Sequence, residues 1–280
     1  MRVGLIGFGK TGKAVATTLL LDKTIHLEWV VRKSDLLEHR SVPEFLGVDS
    51  DEPGLIYRSK EFTAEQLLAR SPVDAIIDFS SASGVDYYAE AAANASVAVV
   101  SAISQYPKEQ VRKLQSIADR TRVMWSPNIT IGINFLILAA QSLQRIAPHV
   151  DIEIIEEHFK DKPEVSGTAL RIARALNMQE DDVKTIRAGG IIGVHEILFG
   201  FPYQTVRLRH ESIGREAFGN GAGYAAKKLI DLPNGFYTME DLLLPTYTEF
   251  ENSTLPTISK RKMRGKIAHA MRTIANKIDI

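Results

Sequence analysis

Apolar positions along the first 125 residues come in short runs of strand length, separated by stretches with helical spacing. Residues 2–7 (RVGLIG), 26–31, 73–79 (VDAIIDF), 97–100 and 122–125 read as strands, and 13–21, 84–95 and 108–120 as helices between them. This alternation predicts a doubly wound, Rossmann-like parallel sheet of the α/β class. Beyond residue 130 the pattern changes character. The apolar segment 131–146 predicts a helix that leaves the first domain, and the runs from Ile152, over 183–187, 191–199 and 204–210 alternate in polarity. They predict a second α+β domain on an open, mixed sheet. One face of such a sheet has to be covered; a sheet from another copy of the chain would do this, so a homo-oligomer is expected.

The first strand runs directly into Gly7-Phe8-Gly9-Lys10-Thr11-Gly12 and then a helical stretch, the dinucleotide fingerprint in its proper context. Gly7 allows the tight turn, Gly9 admits a pyrophosphate to the helix N-terminus, and Gly12 permits close packing of helix on strand. Where the second strand ends and an acid would read the adenosine ribose, the chain has Arg32 and Lys33. Two cations there favour a 2′-phosphate, so NADPH is expected over NADH, with NADH possible. Later strand ends, at Asp78, Phe79 and Ser80, at Ser101, Ala102 and Ile103, and at Pro127, Asn128 and Ile129, should surround the nicotinamide. The plainer account of each, taken singly, is a polar loop.

The segment 152–170, IEIIEEHFKDKPEVSGTAL, carries the candidate chemistry. Ile152, Ile154 and Ile155, interleaved with Glu153 and Glu156, read as a half-buried strand that brings His158 to its C-terminal edge. Ser166 has N-cap chemistry for a helix over 168–176, so Ser166, Gly167 and Thr168 would turn free backbone N–H groups toward a carboxylate or phosphate. Lys162 can stand over the same pocket as a cation or proton donor, and His158, titrating nearest neutrality, is the natural acid or base. Local pattern alone favours the plainer account, an N-capped helix after an exposed, charged loop.

Composition narrows the partners. Thirty-four basic and 34 acidic residues cancel, which gives no field for nucleic acid or a membrane and leaves a small molecule as the expected partner. With no cysteine, thiol catalysis, disulfides and Cys-based metal sites are excluded, and the seven scattered histidines form no HxxxH-like pair, so no metal is expected. MRVGLIG leads straight into the glycine loop and no apolar run reaches membrane-spanning length, so a cytoplasmic protein is expected.

These strings add up to a resemblance. VGLIGFGKTG, AIIDFSSASG, SPNITIGIN, IEIIEEHFKDKPEVSGTAL, RAGGIIGVHEILFG and, less closely, GREAFGNGA, spread over most of residues 1–245, resemble the 4-hydroxy-tetrahydrodipicolinate (dihydrodipicolinate) reductase family of bacterial lysine and diaminopimelate biosynthesis. The family signature is similar to E-x-HH-x-x-K-x-DAPSGTA. With one residue deleted before SGT, His158 and Lys162 take the places of its catalytic histidine and lysine; without the gap, Glu157 and Asp161 would. The resemblance implies an NAD(P)H-dependent oxidoreductase in which hydride reaches a cyclic, conjugated dicarboxylate. Ser166, Gly167 and Thr168 would hold a carboxylate, and His158 with Lys162 would stabilise and protonate the enamine-like product. It also implies a homotetramer and a C-terminal helix, 239–244, packed back on the nucleotide domain. The domains are then 1–130 with 237–280 for the dinucleotide, and 131–236 for substrate and oligomerisation.

The chain departs from the family pattern at several points. Ser101-Ala102-Ile103-Ser104 stands for a GTTG-like turn, Phe159 for the second histidine, Glu164-Val165 after Pro163 for the residues before SGT, and Tyr224 for a frequent arginine. Each change removes polar recognition of a dicarboxylate. The alternatives are a paralogous NADPH oxidoreductase acting on another imine acid, and a non-catalytic NADPH-binding protein. Residues 259–280 carry seven cations at Lys260, Arg261, Lys262, Arg264, Lys266, Arg272 and Lys277, with apolar residues at helical spacing, and read as a basic amphipathic helix.

Overall fold

Strands that are apolar on both faces need helices above and below, and the first half of the chain supplies them in sequence order. A computed structural model of the chain describes residues 1–34, 37 and 39–254, with side chains described through residue 246. Strands β1 (Arg2–Ile6), β2 (His26–Arg32), β3 (Leu55–Arg58), β4 (Ala75–Asp78), β5 (Ala98–Ser101) and β6 (Arg122–Trp125) join the late strand β11 (Gly235–Tyr237) in one parallel sheet. Its order is β11-β6-β5-β4-β1-β2-β3, so the winding reverses between β1 and β4. That reversal opens a crevice at the strands' C-terminal ends, where α/β sheets bind ligands. Helices α1 (Lys10–Leu21), α2 (Val42–Leu46), α3 (Ala64–Arg70), α4 (Val85–Asn94) and α5 (Lys108–Ile117) make the crossovers.

Helix α6 (Ile131–Ile146) leads to a second sheet of β7 (Asp151–His158), β8 (Val183–Arg187), β9 (Val194–Phe201) and β10 (Gln204–Glu211). The order is β10-β9-β7-β8; β7 and β8 are parallel, the other pairs antiparallel. Parallel pairing requires a crossover, supplied by α7 (Gly167–Ala175) and a 3₁₀ turn at Glu180–Asp182. Ile154, Ile197 and Phe199 on one face pack with Ile133 and Ile137 of α6 and Ile172 of α7. The other face is a mesh of charge, with Arg209 3.7 Å from Glu157 and Lys184 3.8 Å from Glu153. Both sheets belong to one compact unit, Met1–Leu242; a second comprises Leu243–Ile280.

Most elements fall where the hydrophobic pattern places them, with ends moved by one to three residues, as in β4 and α5. The pattern gives no sign of α2, β3, α8 (Glu216–Leu229) or β11, nor of α3, whose Thr63–Gln66 capping box is nonetheless a legible helix start. Helix α8 carries Gly219, Gly221 and Gly223, poor helix formers, and exists through packing. A Cβ on Gly221 would lie 2.0 Å from the Ile129 carbonyl oxygen, and one on Gly219 2.5 Å from Thr18 of α1. Helix α9 (Met239–Thr254) starts with Met239 and Leu242 buried, and Tyr224 donates to the Leu242 carbonyl at 3.3 Å. The basic segment 259–280 lies outside the described residues. Gly221→Ala should lower unfolding stability by about 1–3 kcal/mol, because backbone must move to admit the methyl group; urea denaturation checks this.

Candidate active site

Helix α1 begins at Gly9 with no side-chain cap, so its first backbone N–H groups are left for an anion. Gly7 holds φ +98°, and a Cβ there would come within 2.7 Å of the Phe79 backbone. A Cβ on Gly12 would fall 2.1 Å from the Gly7 carbonyl oxygen, whereas Gly9 faces open space. Glycine is thus demanded by packing at Gly7 and Gly12 and leaves room for a ligand at Gly9. A cleft of about 650 Å³ runs from this turn past Phe8, Arg32, Lys33 and Ser80. Lys33 Nζ donates to Ser83 Oγ at 3.0 Å, and the one carboxylate on the cleft wall among the described residues, Asp86, is engaged by Lys113 at 2.8 Å. The cleft continues into a hollow of about 390 Å³ walled by Thr11, Phe79, Ala102, Ile103, Pro127 and Ile129. This is the shape and chemistry of a dinucleotide site.

Beyond Pro127 lies a cavity of about 790 Å³ between the glycine turn and the second sheet. Its walls carry His158, His195 and Thr168 from the second sheet and α7, facing Lys10, Lys13 and Arg215. Because β7, α7 and β8 form a parallel crossover, the C-terminal end of β7 and the N-terminus of α7 meet at one edge. Ser166 caps α7, its Oγ accepting from Thr168 N at 3.2 Å, and lies 2.9 Å from His195 Nε2. Asn128 Nδ2 donates to Thr168 Oγ1 at 3.0 Å, tying the nucleotide-side loop to this turn. Arg171 of α7 adds an ion pair to Glu240.

His158 is bonded through Nδ1 to Glu156, a carboxylate with no exposed surface, whose other oxygen accepts from Arg187 at 2.6 Å. Burial works to raise the Glu156 pKa, but Arg187 and His158 together hold it below the usual carboxylate value. Burial, reinforced by the nearby His158 and Lys162 and opposed by Glu156, depresses His195 to about 4, so its imidazole is neutral. His210, the next histidine across the sheet, is also lowered by burial. Beneath the cleft, Asp78 is fully buried and its carboxyl is raised by that burial, although Ser80, Tyr88 and Tyr106 hydrogen-bond to it.

The residues singled out from sequence therefore take different places. Gly7, Phe8, Gly9, Arg32, Lys33, Phe79 and Ser80 line the cleft, and Thr11, Ala102, Ile103, Pro127 and Ile129 its continuation. Lys10, Asn128, His158 and Thr168 line the cavity. Gly12, Asp78 and Ser101 are buried beneath these walls, Ser101 2.8 Å from the Tyr106 hydroxyl. Gly167 starts α7 in open space. Lys162 is half-buried in the loop after β7, not in the cavity wall, and its backbone carbonyl accepts from Arg187. Glu157, the residue an ungapped alignment would choose, lies on the opposite face of β7, toward Arg209. Sequence reading passed over Glu156, Arg187, His195 and Arg215. Glu156 shares a strand face with His158 two residues on and was readable; Arg187 and His195 arrive only through strand register.

A Rossmann-type sheet with this glycine turn, facing a cavity with a histidine and a capped helix N-terminus, defines an NAD(P)H-dependent oxidoreductase. The chain matches the family model for the dihydrodipicolinate reductase N-terminus over residues 1–129 and that for its C-terminus over 131–243. It belongs to the dihydrodipicolinate reductase family. The 4-hydroxy-tetrahydrodipicolinate reductase of Caldanaerobacter subterraneus subsp. tengcongensis is 32% identical over 198 residues, 62% of this chain and 78% of that relative. That of Thermosipho africanus is 27% identical over 247 residues, covering 87% and 98%. A dipicolinate-bound dihydrodipicolinate reductase from Paenisporosarcina sp. TG-14 shares the fold, with a TM-score of 0.71 at 21% identity over 86% of this chain and 98% of that one. Among the described residues no helix is long and apolar enough to cross a membrane, and no group of three or more potential metal ligands occurs.

The depressed His195 has a consequence for stability. In the unfolded chain its imidazole takes a proton near the ordinary value of 6.5, but in the fold only near 4. Stability is therefore full above 6.5 and is lost as pH falls toward 4, by on the order of 3 kcal/mol. Urea titrations across this range should show the loss, and His195→Gln should flatten it.

Proposed function

We propose that this protein reduces 4-hydroxy-tetrahydrodipicolinate, or the dihydrodipicolinate formed from it, to tetrahydrodipicolinate, with NADPH preferred over NADH. The observation that carries this reading is the single cavity in which His158 and the α7 N-terminus face the glycine turn. Bound NADPH supplies the hydride. Ser166, the Gly167 and Thr168 amides and the Thr168 hydroxyl hold a substrate carboxylate. Asn128 donates to Thr168 Oγ1, which leaves the threonine's own hydrogen to point at that carboxylate. Neutral His195 can donate to Ser166 Oγ in the same way. Lys10, Lys13 and Arg215 outnumber the neighbouring Glu216 and leave the opposite wall net cationic, as a dicarboxylate and a pyrophosphate both require. His158 gives the proton, and Lys162, from its loop, stabilises the developing charge.

Arg32 and Lys33 serve the cofactor's 2′-phosphate. Residues 1–130 with 237–242 form the nucleotide domain and 131–236 the substrate domain, in a cytoplasmic homotetramer whose second sheets cover one another; of the return expected over 237–280, residues 255–280 lie outside the described residues. A paralogous role, reduction of a different imine acid, is favoured by Ile103 in the wall and by Phe159, 44% exposed, in place of polar groups.

NADPH consumption on adding dihydrodipicolinate made in situ tests the main reading; turnover only with other cyclic imines selects the paralogue. His158→Ala and Lys162→Ala should each lower kcat by about 100-fold or more with NADPH affinity unchanged. Arg32→Ala with Lys33→Ala should weaken NADPH by about 10- to 100-fold in fluorescence titration and leave NADH nearly unaffected.

A further inference from the structure

We infer that Glu156, braced by Arg187, is a positioning residue that keeps a hydrogen on Nδ1 of His158 and leaves Nε2 as the nitrogen presented to the cavity. This rests on the reading of His158 as the proton donor. Residues two apart on a strand share a face, so the Glu156 carboxylate lies directly beneath the imidazole. It is fully buried, with one oxygen on His158 Nδ1 and the other accepting from Arg187 at 2.6 Å. The guanidinium is itself anchored, donating to the carbonyls of Lys162 at 3.1 Å, Glu164 at 3.0 Å and Ile186 at 3.0 Å. An ionised carboxylate can only accept, so the ring nitrogen facing it carries the hydrogen.

The other edge of the ring is kept open. A Cβ at position 193 would sit 3.0 Å from Nε2, and Gly193 supplies none. The charged and titratable groups around His158 are Glu156 on its own strand, Arg187 on β8, His195 on β9 with rings 5.4 Å apart, and Lys162 in the following loop. Lys10, Lys13, Arg215 and Glu216 stand across the cavity. Among the described residues, Glu156 alone hydrogen-bonds to the imidazole.

The proton transfer then has a defined direction. The imidazolium's Nε2–H bond breaks, its electron pair stays on Nε2, and the proton passes to the substrate atom bearing the enamine-like charge. The Nδ1–H remains on Glu156, and neutral His158 is left in the Nδ1–H tautomer. Arg187 neutralises the carboxylate, so Glu156 orients the ring without taking its proton.

The test uses the full-length protein with ¹⁵N-labelled histidine at about pH 8.5, where an ordinary imidazole is neutral. His158 is assigned by the signal missing from His158→Asn. The expected result is an Nδ1–H tautomer in the wild type, a mixed or Nε2–H population in Glu156→Gln, and at least a tenfold drop in kcat with the KM for NADPH unchanged. An Nε2–H tautomer in the wild type overturns the inference, as does a Glu156→Gln variant with tautomer and kcat both unaltered. If Glu156→Gln loses NADPH binding and with it the fold, the wild-type spectrum alone decides. The spectrum needs no substrate, so an inactive wild type with the Nδ1–H tautomer would sink the reductase reading and leave this one standing.

Discussion

A parallel β-α-β crossover puts the C-terminal end of its first strand and the N-terminus of its helix at the same edge, and this chain uses that constraint twice. In the first sheet β1 and α1 deliver the glycine turn and the uncapped amides of Gly9 onward. In the second, β7 and α7 deliver His158 and the Ser166 turn. The two helix N-termini carry partial positive charge, and each opens on a hollow, the α1 turn on the cleft and the α7 turn on the cavity. One can hold a pyrophosphate and the other a carboxylate, and Asn128 ties the loop after β6 to the second of them by its bond to Thr168. The remaining chemistry is arranged around this pair of edges.

Buried charge supplies the second level of organisation. Glu156 would be costly inside the fold if alone, but Arg187 and His158 satisfy both oxygens. Burial first, and then the neighbouring His158, keep His195 neutral beside Ser166, against the opposing pull of Glu156. Asp78 plays a related part beneath the nucleotide cleft, where Ser80 N and Oγ and the Tyr88 hydroxyl all donate to it. Tyr106 links it to Ser101, and Trp125 donates to the Ile103 carbonyl at 2.9 Å, so the turn 101–104 is held from below by aromatic side chains.

The strands and helices of residues 1–32 and 73–125 were legible because each run is long enough for its period to show, and because the glycine turn has one physical use. The elements that escaped are short, like β3 and β11, or glycine-rich, like α8. Their local preferences are weak, and contacts with distant segments, such as Gly221 against Ile129, decide them. Within the site, His158, Ser166, Gly167 and Thr168 could be read because strand end, N-cap and turn chemistry are local properties. Asp78 and Ser101 read as wall residues but lie under the wall, since a strand's last residue can face either layer and sequence does not say which.

What the sequence determined by itself was the class of each half, the nucleotide turn and the histidine and helix cap that face it, all properties of residues near one another in the chain. What the tertiary structure decided was which residues serve that histidine. Arg187 stands opposite His158, and His195 opposite Glu156, only because β8 and β9 pair with β7 in that register. A shift by one residue would send each to the other face of the sheet, and nothing local in the chain encodes that choice.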